Sequence, residues 1–66
     1  MTNQEFTEYL EYRLDALHKM KDAPDRPDNY DAQERLLLQA HKIMTHGTGP
    51  ARRRFRRDYQ RRTGLK

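Results

Sequence analysis

Sixty-six residues, 33% of them hydrophobic and 36% charged, leave room for one small domain with a thin core. No cysteine is present, which excludes disulfides and thiolate metal sites as staples, and no stretch approaches the roughly 20 apolar residues that span a bilayer. The net charge of +4 is unevenly split: residues 1–50 hold 6 basic against 9 acidic side chains (net −3), and residues 51–66 hold 8 against 1 (net +7).

An acidic body joined to a basic tail points to nucleic acid or another polyanion as partner. Low hydrophobicity with high charge is also the signature of disorder. Helical spacing of the apolar residues argues for an ordered body instead. So small a core makes self-association, or folding onto a partner, the expected support. The N-terminus has neither a basic start nor an apolar run, so the expectation is a cytoplasmic protein.

The first segment, Asn3 to about Asp22, is predicted helical. Thr2 and Glu5 have capping-box spacing, in which each side chain answers the other's backbone N–H. Phe6, Leu10, Leu14 and Leu17 recur at steps of four, four and three and form one stripe, with Tyr9 and Met20 at its edge. Arg13 lies inside that stripe, where its stem can pack while its head reaches water; the alternative is an interface ion pair. Glu8, Glu11, Asp15 and Asp22 fall on the opposite face. They read as a solvated surface, or as a receptor for the basic tail, in cis or from a second subunit.

Residues 23–29 carry Pro24 and Pro27 among strong turn formers and predict a stiff connection between antiparallel helices. A second helix is predicted over Tyr30 to His46. Asp28 or Asp31 is the expected cap, the latter with Glu34 in capping-box spacing. Ala32, Leu36, Leu37, Ala40, Ile43 and Met44 are expected to face the first helix. Leu38 points away, either as an ordinary exposed leucine or as a docking point. Gly47 suits a left-handed C′ position, Pro50 the first turn of a new helix, and residues 47–50 a hinge.

A third helix is predicted over Ala51 to about Arg62, with Thr63 to Lys66 frayed. Ala51, Phe55 and Tyr59 share a narrow strip, and arginines cover most of the remainder. Asp58 and Arg62 form a favourable (i, i+4) pair. So short and cationic a helix orders by docking Phe55 and Tyr59 on the hairpin or by meeting an anion. The predicted architecture is all-α: residues 1–46 form an antiparallel two-helix hairpin, and residues 51–66 form a basic helical tail. Two copies could combine into a four-helix arrangement and double the basic surface.

The candidate binding residues are Arg52, Arg53, Arg54, Phe55, Arg56, Arg57, Tyr59, Arg61 and Arg62. Guanidinium groups present a planar, permanently charged fork to phosphate oxygens, and each phosphate contact releases a counterion. About five such contacts on a duplex would give a salt slope of roughly −4 to −5. Phe55 and Tyr59 could stack on unpaired bases. The bland reading is a solubilising surface, but a strip of seven arginines and one lysine is an unusual choice for that. Base-specific reading is not expected: the connection is longer than a helix-turn-helix turn, and the second helix carries only Arg35 and Lys42 as fixed positive charges.

RNA or DNA is therefore the expected partner; the alternative is an acidic protein surface gripped by arginine and aromatic anchors. A membrane partner is not expected, because the Phe55–Tyr59 strip is too narrow for firm insertion. No cofactor or metal is expected. His41 and His46 are five apart and His18 lies on another helix, which does not make a ligand set. Gly47-Thr48-Gly49 lacks the lysine and spacing of a phosphate-binding loop. With neither serine nor cysteine, and with carboxylates on exposed faces, the chain is expected not to be an enzyme.

Overall fold

The computed structural model describes residues 1–65. It is all-α, with α1 (Asn3–Lys19), α2 (Tyr30–His46) and α3 (Gly49–Thr63). The first two helices form the antiparallel hairpin, held at two levels by contacts from one helix to the other. His18 Nε2 lies 3.1 Å from Glu34 Oε2, and His41 Nε2 lies 3.2 Å from Glu11 Oε1.

The capping box forms at the start of α1. The Thr2 N–H donates to Glu5 Oε1 at 2.9 Å, and the Glu5 N–H donates to Thr2 Oγ1 at 3.1 Å. The helix ends three residues before the expected Asp22. Met20 N–H reaches Leu17 O and Lys21 N–H reaches His18 O, so the last turn tightens from i→i−4 to i→i−3 bonding before Pro24. Arg26 then ties the connection to α2. Its guanidinium lies 4.3 Å from the Tyr30 ring centroid, donates to Lys21 O at 3.3 Å and meets Asp31 Oδ1 at 3.4 Å.

Neither Asp28 nor Asp31 caps α2. Asn29 holds the N-cap position without a side-chain bond to the backbone, and accepts instead from Gln33 Nε2 at 2.8 Å. The expected Asp31–Glu34 box does not form because α2 starts one residue before Asp31; the two carboxylates meet Arg26 and His18 instead. At the other end Gly47 is extended (φ −76°, ψ 165°) rather than left-handed. It is needed for space: a Cβ there would lie 2.5 Å from the Ile43 carbonyl oxygen.

The core comprises Phe6, Leu10, Leu14 and Leu17 from α1 with Tyr30, Leu37, Ala40 and Met44 from α2. Phe6 and Leu10 are fully buried. The first helix buries the expected stripe. The second helix is rotated from expectation: Ala32 is exposed, Ile43 is half-buried and Leu36 is 66% exposed, while Tyr30 takes a core place. Leu38 is 50% exposed.

The connection to α3 is only Gly47-Thr48. Thr48 caps α3 by accepting from the Ala51 N–H at 3.3 Å, and Pro50 sits in the first turn, where its missing N–H costs nothing. The third helix folds onto the hairpin, placing Phe55 and Tyr59 against Phe6. At its C-terminus Gly64 adopts the left-handed conformation (φ 71°). Leu65 then folds back against the core, its carbonyl accepting from Gln60 Nε2 at 3.3 Å, in place of the expected fraying. Lys66 lies outside the described residues.

Candidate functional site

The tail's side chains divide by helical geometry. At 3.6 residues per turn, Arg53, Arg54, Arg57 and Arg61 share an arc of about 100°. All four are exposed, and none has an acidic partner among the described residues. Successive members of the Arg53–Arg57–Arg61 row stand about 6 Å apart along the helix axis. This row is the basic surface.

The other three arginines are committed differently. Arg52 is half-buried and its Nε donates to Gly47 O at 2.8 Å, closing the corner between α2 and α3. Arg56, one turn on, is also half-buried, and its Nε is buried without a protein partner. Arg62 makes the expected pair with Asp58, 2.9 Å from Arg62 Nη2 to Asp58 Oδ2. Seven arginines in sequence thus become four unpaired ones on the outer arc.

Phe55 and Tyr59 face inward. Their ring centroids lie 6.2 Å and 5.1 Å from that of Phe6, with the Tyr59 ring edge-on. Tyr9 stacks on the same Phe6 at 6.3 Å and accepts a 2.8 Å hydrogen bond from Arg13 Nη1, with the Arg13 guanidinium 5.8 Å from the Tyr9 ring. Arg13 thus packs through an aromatic neighbour rather than an ion pair. Burial, and next the Tyr9 phenol beside it, push the Tyr59 phenol above its ordinary pKa; the Arg13 guanidinium acts in the opposite sense.

No α3 arginine bonds to the acidic face of α1 among the described residues. Glu11 is engaged by His41, and Asp15 by Lys19 at 3.1 Å. The arginine row therefore stands free of the chain's own carboxylates, apart from Asp58 at its edge. No described group of histidine and carboxylate side chains could hold a metal ion, and no described helix is long and apolar enough to cross a membrane.

A second feature was not legible in the sequence. A cleft of about 300 Å³ opens between α2 and α3, with Leu37 and Ala40 in its floor and Leu36, Phe55, Tyr59 and Arg62 around it. Leu36, expected to face α1, is exposed at its margin.

Comparison with protein-family models, curated proteins and solved structures gives no match to this chain. The functional argument accordingly rests on these residues and their geometry.

Proposed function

We propose that this is a non-catalytic nucleic-acid-binding protein that contacts phosphates through the outer face of α3. The observation that carries the reading is the exposed row Arg53–Arg57–Arg61 with Arg54 beside it, unpaired and projecting from a helix whose opposite face is anchored. An anchored helix holds its charges in place before the partner arrives, so less ordering entropy opposes binding than for a free arginine-rich peptide. The hairpin is the mount and α3 the contact element.

Four phosphate contacts predict a salt slope of about −3 to −4 on duplex DNA. This is shallower than a count of all the tail's arginines suggests. The test is fluorescence anisotropy on the full chain across salt concentrations, beside a variant carrying Arg53→Gln, Arg54→Gln, Arg57→Gln and Arg61→Gln. The reading requires the variant to lose binding while keeping its helical circular dichroism. A flat salt response, or undiminished affinity in the variant, would overturn it.

Docking on an acidic protein surface is the second reading. The exposed Leu36 beside the α2–α3 cleft favours it, because apolar contact flanked by arginine is a common anchor arrangement. A Leu36→Ser substitution separates the two: it leaves phosphate binding unchanged and weakens a protein complex.

A further inference from the structure

We infer that the polyanion suited to α3 is double-stranded DNA, with the helix lying along the major groove, rather than an unpaired strand. This rests on the phosphate-binding reading above and narrows it.

The first argument concerns where the aromatic side chains are. Proteins that hold single strands combine positive charge with exposed aromatic platforms for the bases. All six aromatic residues of this chain can be placed. Phe55 and Tyr59 are turned against Phe6, which is itself fully buried, and Tyr9 stacks on Phe6 from α1. Tyr30 is buried beneath the Arg26 guanidinium. Only Tyr12 is well exposed, at 72%, and Glu8 and Asp15 lie one turn to either side of it on α1. A stacking platform flanked by carboxylates repels the strand it would serve. The arginine row therefore has no fully exposed aromatic beside it: Phe55, which borders the same surface, is half-buried against Phe6.

The second argument is shape. An α-helix with its side chains is about 10–12 Å across, and the B-form major groove is about 12 Å wide. The A-form major groove of duplex RNA is too narrow and deep to admit it. An arc of about 100° lets Arg53 at one edge and Arg54 at the other face opposite groove walls, with Arg57 and Arg61 between. With Phe55 and Tyr59 packed against Phe6, the helix presents charge to a backbone rather than aromatic platforms to bases.

The experiment uses the full chain and one labelled sequence in three forms: duplex DNA, duplex RNA and single-stranded DNA, titrated at matched ionic strength. Duplex DNA is expected to bind tightest, by about ten-fold over the single strand, with a salt slope of about −3 to −4. Equal or tighter binding of the single strand, or equal binding of duplex RNA, overturns the inference while leaving phosphate binding intact. Absence of binding to all three overturns both. A Tyr12→Ser variant provides an independent check: unchanged single-strand affinity is expected, and a marked loss would identify Tyr12 as a stacking platform and sink the argument.

Discussion

The Tyr59 ring meets Phe6 edge-on, with centroids 5.1 Å apart and ring planes inclined by 60°. Phe6 also anchors Phe55 and Tyr9, so one fully buried ring near the start of α1 gathers the attachment of α3. Edge-to-face geometry brings the positive ring edge to the negative face and adds to the area buried. This contact is why a helix with no fully buried residue of its own is held on the hairpin.

Truncating that contact should release the tail. Tyr59→Ala is expected to lower stability by about 1–2 kcal/mol, and Phe55→Ala by a similar amount, since both rings are half-buried. Urea denaturation followed by circular dichroism measures this. If the rings served base stacking instead, the substitutions would weaken single-strand binding and leave the urea midpoint where it was.

The Gly47-Thr48 corner has no room for a side chain at its first position. Gly47→Ala forces a Cβ into the Ile43 carbonyl, which already accepts the Gly47 N–H at 2.8 Å. The expected cost is about 1–3 kcal/mol. Gly49→Ala meets nothing within 4 Å and lies in the first turn of α3. It should be neutral or stabilise by up to about 1 kcal/mol. Thermal melts of the two variants should therefore move apart.

Acid should weaken the N-terminal cap. The Thr2 backbone N–H, and next the Thr2 side chain, hold the Glu5 carboxyl below its ordinary pKa. A carboxylate favoured in the folded state contributes above its unfolded pKa, and that contribution fades as pH falls through the lowered value. Glu5→Gln should melt below the parent at neutral pH, and the gap should close on acidification. Thr2→Ala, which also removes the cap to the Glu5 N–H, should cost about 1 kcal/mol at neutral pH.

Alkali should act on the attachment of α3. The raised Tyr59 pKa means that the folded state favours the neutral phenol. Its contribution is whole below the unfolded tyrosine pKa and is lost as pH rises through the folded value. Absorbance of tyrosinate should rise together with loss of helix from α3. Tyr59→Phe should remove that step and hold the helix to higher pH; an unchanged alkaline transition in this variant would show that Tyr59 does not govern it.

Asp58 is the one acid of the tail, and it lies beside the arginine row. Asp58→Asn frees Arg62 and removes a charge that opposes phosphate. Affinity for duplex DNA is expected to rise about two- to five-fold at low salt, with the gain shrinking as salt is added. Stability should change by less than about 0.5 kcal/mol, because the pair is an exposed (i, i+4) contact. Anisotropy and melting on the same preparation read both.

Local chemistry made much of this fold legible. The Thr2–Glu5 box, the prolines that separate α1 from α2, and Pro50 in the first turn of α3 act within a few residues, so their spacing suffices to find them, although α3 starts at Gly49, two residues before the expected Ala51. Spacing did not suffice where the chain offered a competing geometry. Asp31 and Glu34 have capping-box spacing, but the N-cap falls at Asn29, and the two carboxylates meet Arg26 of the connection and His18 of α1. Gly47 suits a left-handed C′ position by residue type, whereas the constraint is the Ile43 carbonyl it packs against.

Sequence alone determined three helices, their approximate limits and a charge gradient from acidic body to basic tail, because periodicity, capping and composition are properties of short windows. Tertiary packing decided which arcs of α2 and α3 face the rest of the molecule. It buried Leu37 and left Leu36 at a cleft, and it turned Phe55, Tyr59, Arg52 and Arg56 toward the hairpin while Arg53, Arg54, Arg57 and Arg61 were left to solvent. A wheel shows which residues share a face, but only the meeting of Phe6 with α3 settles which face is spent on the fold and which remains for a partner.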